Sequence, residues 1–116
     1  MSPYRLTPLA AADIGNILDE TLRLFGSLQE ERYYDLLLAA VERIAADPFS
    51  IGTKACDSLS TGLRSFHVGT AASRQGAASH VLYFRPVTSL DGKREILIAR
   101  VLHDRMDPER HIAASD

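Results

Sequence analysis

Apolar residues recur at three- and four-residue steps through the first part of the chain and at two-residue steps through the last part. Two helices followed by strands are therefore predicted. Thr7-Pro8 opens the first helix, because threonine caps a helix start and proline is tolerated at the first helical position. Ile14, Ile17, Leu18, Thr21 and Phe25 fall on one face of that helix, and Gly26 ends it. Ser27-Leu28-Gln29-Glu30 reads as a capping box that starts a second helix at once. The second helix turns Tyr34, Leu37, Leu38, Val41 and Ile44 to the core and stops by Asp47-Pro48; Tyr33 lies about 100° away, on a flank, and both tyrosines read as packing residues.

Residues 49–62 hold no sustained period and read as a connection across the domain. Residues 63–68, 80–87 and 95–103 alternate in the manner of strands. Asp91-Gly92 between the last two signals a tight hairpin, because both turn residues accept positive φ. A short first strand over 4–7 joins an edge, and 70–79 reads as a flexible hairpin loop. The expected fold is α+β: an N-terminal helical hairpin packed on a small antiparallel β-sheet, one domain over 1–116 with its core in 3–112.

Composition narrows the chemistry. The 116 residues carry a formal net charge of −2, whereas a domain that grips phosphates has a basic excess. Cys56 is the one cysteine, so no internal disulfide forms, and the thiol reads as inert. The four histidines, His67, His80, His103 and His111, lack ligand spacing, so neither a metal nor a cofactor is expected. The opening MSPYRLTPLAAADIG includes Asp13 and lacks the apolar run of a secretory signal, and no stretch is apolar enough to span a membrane; a cytoplasmic protein is expected.

Four segments carry a resemblance. Tyr4-Arg5-Leu6-Thr7-Pro8 with Ala12-Asp13-Ile14, then Gly62-Leu63-Arg64-Ser65-Phe66-His67-Val68-Gly69, then Val81-Leu82-Tyr83-Phe84-Arg85, and last Ile98-Ala99-Arg100-Val101-Leu102-His103-Asp104-Arg105-Met106-Asp107, continued by Pro108-Glu109-Arg110-His111, occur in one order. Together they resemble the ParE toxin family of the RelE/ParE superfamily over 4–112. The resemblance implies a bacterial toxin, the toxin half of a type II toxin-antitoxin pair, neutralised by a ParD-like antitoxin whose tail wraps over it in a hetero-oligomer. It also implies DNA gyrase as target, and contact with operator DNA only through the antitoxin. Relatives of the RelE type instead cut mRNA on the ribosome, and a toxin-like co-repressor without poisoning activity is a third reading.

This chain departs from the family pattern at two places. Roughly eight extra residues lie around 70–78, a surplus that surface loops tolerate. Phe84 stands where the family tends to carry tyrosine, with Tyr83 one step earlier and therefore on the opposite strand face. Arg64, Arg85, Arg100, His103, Arg105 and Met106 are the candidate target- or antitoxin-binding residues. A ribonuclease would use Arg64, Arg100 and His103, its base and phosphate clamp converging on one surface. Simple alternation groups Ile96, Ile98, Arg100 and Leu102 against Leu97, Ala99, Val101 and His103, which sets Arg100 and His103 on opposite faces unless a bulge intervenes. Arg100 within an apolar run calls for an acidic partner, either in the domain or on an antitoxin.

Overall fold

The computed structural model of the chain describes residues 4–72 and 78–112. Strand β1 (Tyr4–Leu6) leads into helix α1 (Pro8–Phe25), and Thr7 fixes that junction. Its side-chain oxygen accepts from the Ala10 amide at 3.0 Å and donates to the Ala99 carbonyl at 2.7 Å. One residue thus caps the helix and ties its start to the last strand. Helix α2 (Ser27–Ala46) follows after Gly26 alone, whose φ of 90° turns the chain at little cost.

That single-residue turn overrides the expected capping box. Ser27 is drawn into the helix, Gly26 takes the cap position, and no side chain caps the helix start. The apolar face of α2 also differs at two positions from the expectation, with Tyr33 and Ala40 in place of Tyr34 and Leu38. Tyr33, Leu37, Ala40, Val41 and Ile44 are buried while Tyr34 is half exposed. Leu36, Leu37 and Leu38 are consecutive, so the sequence pattern alone did not fix the phase of the helix. On α1, Ile14, Ile17 and Leu18 pack as expected, but Phe25 at the helix end is 70% exposed.

The five-stranded sheet has the order β1-β5-β4-β3-β2, with β2 (Thr53–Ala55), β3 (Arg64–His67), β4 (His80–Thr88) and β5 (Arg94–His103). All neighbours pair antiparallel except β1, which runs parallel to β5. The two helices on this mostly antiparallel sheet form the expected α+β arrangement. Strand β2 lies within the stretch expected to be a connection; three residues are too few to show alternation, and its pairing to β3 defines it. The β4–β5 hairpin closes over Ser89 to Lys93, with Gly92 at a φ of 82° and no positive φ at Asp91. The turn is therefore longer than a two-residue Asp-Gly loop. Of the expected flexible loop, 73–77 lie outside the described residues. On its two sides Val68–Ala71 form a 3-10 turn and Ala78 is buried.

Both sheet faces are covered. Phe66, Leu82, Phe84, Ile96, Ile98 and Val101 pack against the helices, and each fully buried side chain of this kind contributes roughly 1.5–3 kcal/mol. Leu63, Tyr83, Ala99, Leu102 and Ile112 form a second core on the opposite face. Tyr83 and Phe84 thus point to opposite faces, as one step along a strand requires.

The alternation along β5 is not simple. Tyr83 pairs with Arg100 but Phe84 pairs with Ile98, so Ala99 is an extra, bulged residue. Val101 consequently joins Ile96 and Ile98 against the helices, while Ala99 and Leu102 share the other core, which corrects the expected grouping of these residues. The bulge precedes Arg100, so Arg100 and His103 keep opposite parity.

Candidate functional site

The six candidate residues do not converge. Arg64 on β3 donates to the Pro48 carbonyl at 3.1 Å and the Thr53 hydroxyl at 2.8 Å, and its guanidinium lies 4.5 Å from the Phe49 ring centre. It holds the α2–β2 connection against the sheet. Arg85 on β4 donates to Ser60 at 2.7 Å, which fastens the 56–63 stretch over the second core.

Arg100 is the best anchored of the set. It bonds both oxygens of Asp13 on α1, at 2.8 and 2.9 Å, and also donates to the His111 carbonyl at 2.8 Å. The Asp13 carboxylate additionally accepts from the Val101 amide at 2.9 Å, so it caps the strand edge where β1 has ended. The acidic partner expected for Arg100 is thus inside the domain. Arg64, Arg100 and His103 each have separate surroundings, and no single surface collects them.

His103 lies at the far end of β5 in a polar cluster drawn from four elements. It pairs with His80 across the strands, the two rings meeting edge to face with centroids 5.4 Å apart. Tyr33 of α2 places its hydroxyl 2.6 Å from His80 Nδ1 and accepts from the Ser79 amide at 3.3 Å. His67 of β3 lies 3.0 Å from Asp104 and accepts from the Gly69 amide at 2.9 Å. The His103 Nδ1 accepts from the Arg105 amide at 3.1 Å.

Burial governs the charge states here. It pushes the Tyr33 hydroxyl up from its usual value, keeping the phenol protonated. Burial, then the neighbouring His103, lowers His80. The hydrogen bond from His67 holds the Asp104 carboxyl below its usual range. Among the described residues no group of three or more His, Cys, Asp or Glu side chains is placed to hold a metal ion. No described helix is long and apolar enough to cross a membrane.

Beside this cluster runs an open groove of about 580 Å³ between α1 and the end of β5. Ile17, Leu24, Phe25 and Val101 give it apolar surface; His80, His103, Arg105 and Met106 line one side, and Asp13 and Glu20 lie among the α1 residues. Of the candidates, His103, Arg105 and Met106 meet here and Arg64, Arg85 and Arg100 do not.

A family model described as the ParE toxin of type II toxin-antitoxin systems, parDE, matches residues 4–108. The chain belongs to the ParE toxin family. The Toxin ParE1 proteins of two Mycobacterium tuberculosis strains, CDC 1551 / Oshkosh and ATCC 25618 / H37Rv, are each 37% identical to it over 111 residues, 96% of this chain and 98% of the relative. Membership of this type II toxin family implies an antitoxin partner.

Within this ParE-family chain, Asp13, Tyr33, His67, His80 and Asp104 were not singled out as site residues from sequence. Their spacing carries no signal, because α2, β3, β4 and the end of β5 bring Tyr33, His67, His80 and Asp104 together, while packing of α1 on β5 sets Asp13 against Arg100. One clue was available: pairing the strands outward from the Asp91-Gly92 turn sets His80 opposite His103.

Proposed function

We propose that this chain is a cytoplasmic type II toxin that acts by protein contact: a ParD-like antitoxin neutralises it in a hetero-oligomer, and the free toxin inhibits DNA gyrase. The whole chain, 1–116, serves as one toxin domain, and its contact with operator DNA runs only through the antitoxin. The observation that carries this reading is the groove beside α1, where apolar Ile17, Leu24 and Phe25 lie with Arg105, Met106, His103 and the acidic Asp13 and Glu20. Apolar surface bordered by charges of both signs suits a protein segment. It suits a polyphosphate backbone less, because Glu20 would repel it and Arg100 is already held by Asp13. Arg85 and Arg100 serve this account as internal ties, and Arg105 and Met106 as contact residues.

The RelE-type ribonuclease is the less favoured reading, because its phosphate clamp is missing. Arg100 is bound by Asp13 and Arg64 by Pro48 and Thr53, so neither faces His103 across a substrate. The test is purified chain added to gyrase with supercoiled DNA, and in parallel to a translating extract. Cleaved gyrase-bound DNA that disappears when the antitoxin is added, with mRNA intact, is expected. Cut mRNA with gyrase unaffected, together with loss of toxicity in a folded His103→Ala variant, would overturn it. Harmless expression without antitoxin would point instead to a co-repressor.

A further inference from the structure

The cluster that joins α2 to the β4–β5 hairpin contains a hydrogen-bond chain whose direction is set by the tautomer of His80. Tyr33 accepts from the Ser79 amide at 3.3 Å and lies 2.6 Å from His80 Nδ1, and with Nδ1 unprotonated the phenol donates its one proton there. The chain runs from Ser79 N–H to the Tyr33 hydroxyl and on to His80 Nδ1. It closes only if His80 Nδ1 is unprotonated. A proton there would aim two donors at one phenol oxygen and leave the phenol proton without its acceptor, in a half-buried place where such a loss is costly.

The two histidines beside His80 use Nδ1 in the same manner. His67 Nδ1 accepts from Gly69 and His103 Nδ1 from Arg105. We infer that Tyr33, His80 and His103 form an acid-sensitive latch, which fastens α2 to the start of β4 while His80 is neutral and loosens the Ser79–His80 edge of the groove from α2 when His80 takes a proton.

The groups facing His80 come from every neighbouring element. Tyr33 faces it from α2, Glu20 from α1, His67 from β3, and His103 and Asp104 from β5 and the turn after it. Glu20 and Asp104 favour the proton; burial, His103 and His67 oppose it, and the opposing influences prevail. The sign follows. With His80 lowered in the fold, the unfolded chain takes the proton first as pH falls. The contribution of the latch is complete above the ordinary histidine value of about 6.5 and is lost as pH falls through the folded-state midpoint. Asp104 sits at the far side of the same cluster, and Ser79 accepts from its amide at 2.7 Å, so release at His80 reaches the end of β5 as well.

The latch goes beyond the toxin reading and does not rest on it, so its test uses the isolated full-length chain. Nuclear magnetic resonance of nitrogen-15-labelled protein between pH 8 and 5 reads the imidazole nitrogens directly. At pH 8 His80 is expected to carry its proton on Nε2, and to titrate below the ordinary value. Exchange of the α2 amides around Tyr33, corrected for intrinsic rate, is expected to rise roughly tenfold per unit of depressed midpoint. His80→Asn, whose Oδ1 can still accept from Tyr33, is expected to abolish that acid response. A midpoint at or above about 6.5, a proton on Nδ1 at pH 8, or a titration that leaves α2 exchange unchanged would each overturn the inference. If His80→Asn does not fold, the wild-type titration decides alone.

Discussion

Two polar constellations lie three residues apart on β5, and they have opposite characters. At Arg100 the bonds are short, bidentate and enclosed, with the Arg100 and Asp13 side chains 15% and 14% exposed. At His103 the contacts are looser and more exposed, with the His103 and Asp104 side chains 37% and 36% exposed. The first ties α1 to the strand edge; the second borders an open groove. A charged residue in an apolar strand is therefore no guide to function by itself. What matters is whether the fold already supplies its partner.

Breaking the enclosed pair should have the larger effect. Asp13→Ala leaves Arg100 without its carboxylate and the Val101 amide without its acceptor, and is expected to cost about 3 kcal/mol in urea unfolding. An Asp13→Ala cost near zero would erase the distinction between the two regions. Tyr33→Phe in the histidine cluster removes one hydroxyl and two hydrogen bonds while keeping the ring packed. Its expected cost is about 1 kcal/mol at pH 8. Between pH 8 and 5.5 that cost should shrink, because acid already disrupts the bond Tyr33 makes to His80; a cost that grows toward acid would reverse the sign argued from the lowered His80.

Much of the fold was legible because local chemistry and tertiary structure agree. Thr7 and Pro8 start α1, Gly26 ends it, and all three alternating runs hold strands. The failures have identifiable causes. Three consecutive leucines hid the phase of α2, so Tyr33 and Tyr34 exchanged roles. Strand β2 exists through its pairing with β3 rather than through any pattern of its own. The bulge at Ala99 comes from a register shift against Tyr83 and Phe84, which periodicity along one strand does not reveal.

The site was less legible than the fold. His103, Arg105 and Met106 line one groove because they share one segment of the chain. Tyr33 and His80, which share in the same cluster or its groove, come from elements remote in sequence. An acid for Arg100 was anticipated from the cost of an unpaired charge. Only packing of α1 against β5 identifies that acid as Asp13.

If the groove beside α1 receives a protein partner while the Arg100 tie serves the fold, binding protects the first and leaves the second unchanged. Amide hydrogen exchange of the chain, alone and bound to the protein encoded by the adjacent reading frame, tests it most directly. Added protection is expected along Ile17 to Phe25 and His103 to Met106, with the Arg64 and Arg85 regions unchanged. Protection centred on Arg64 and Phe49, with the groove as open as before, would contradict it.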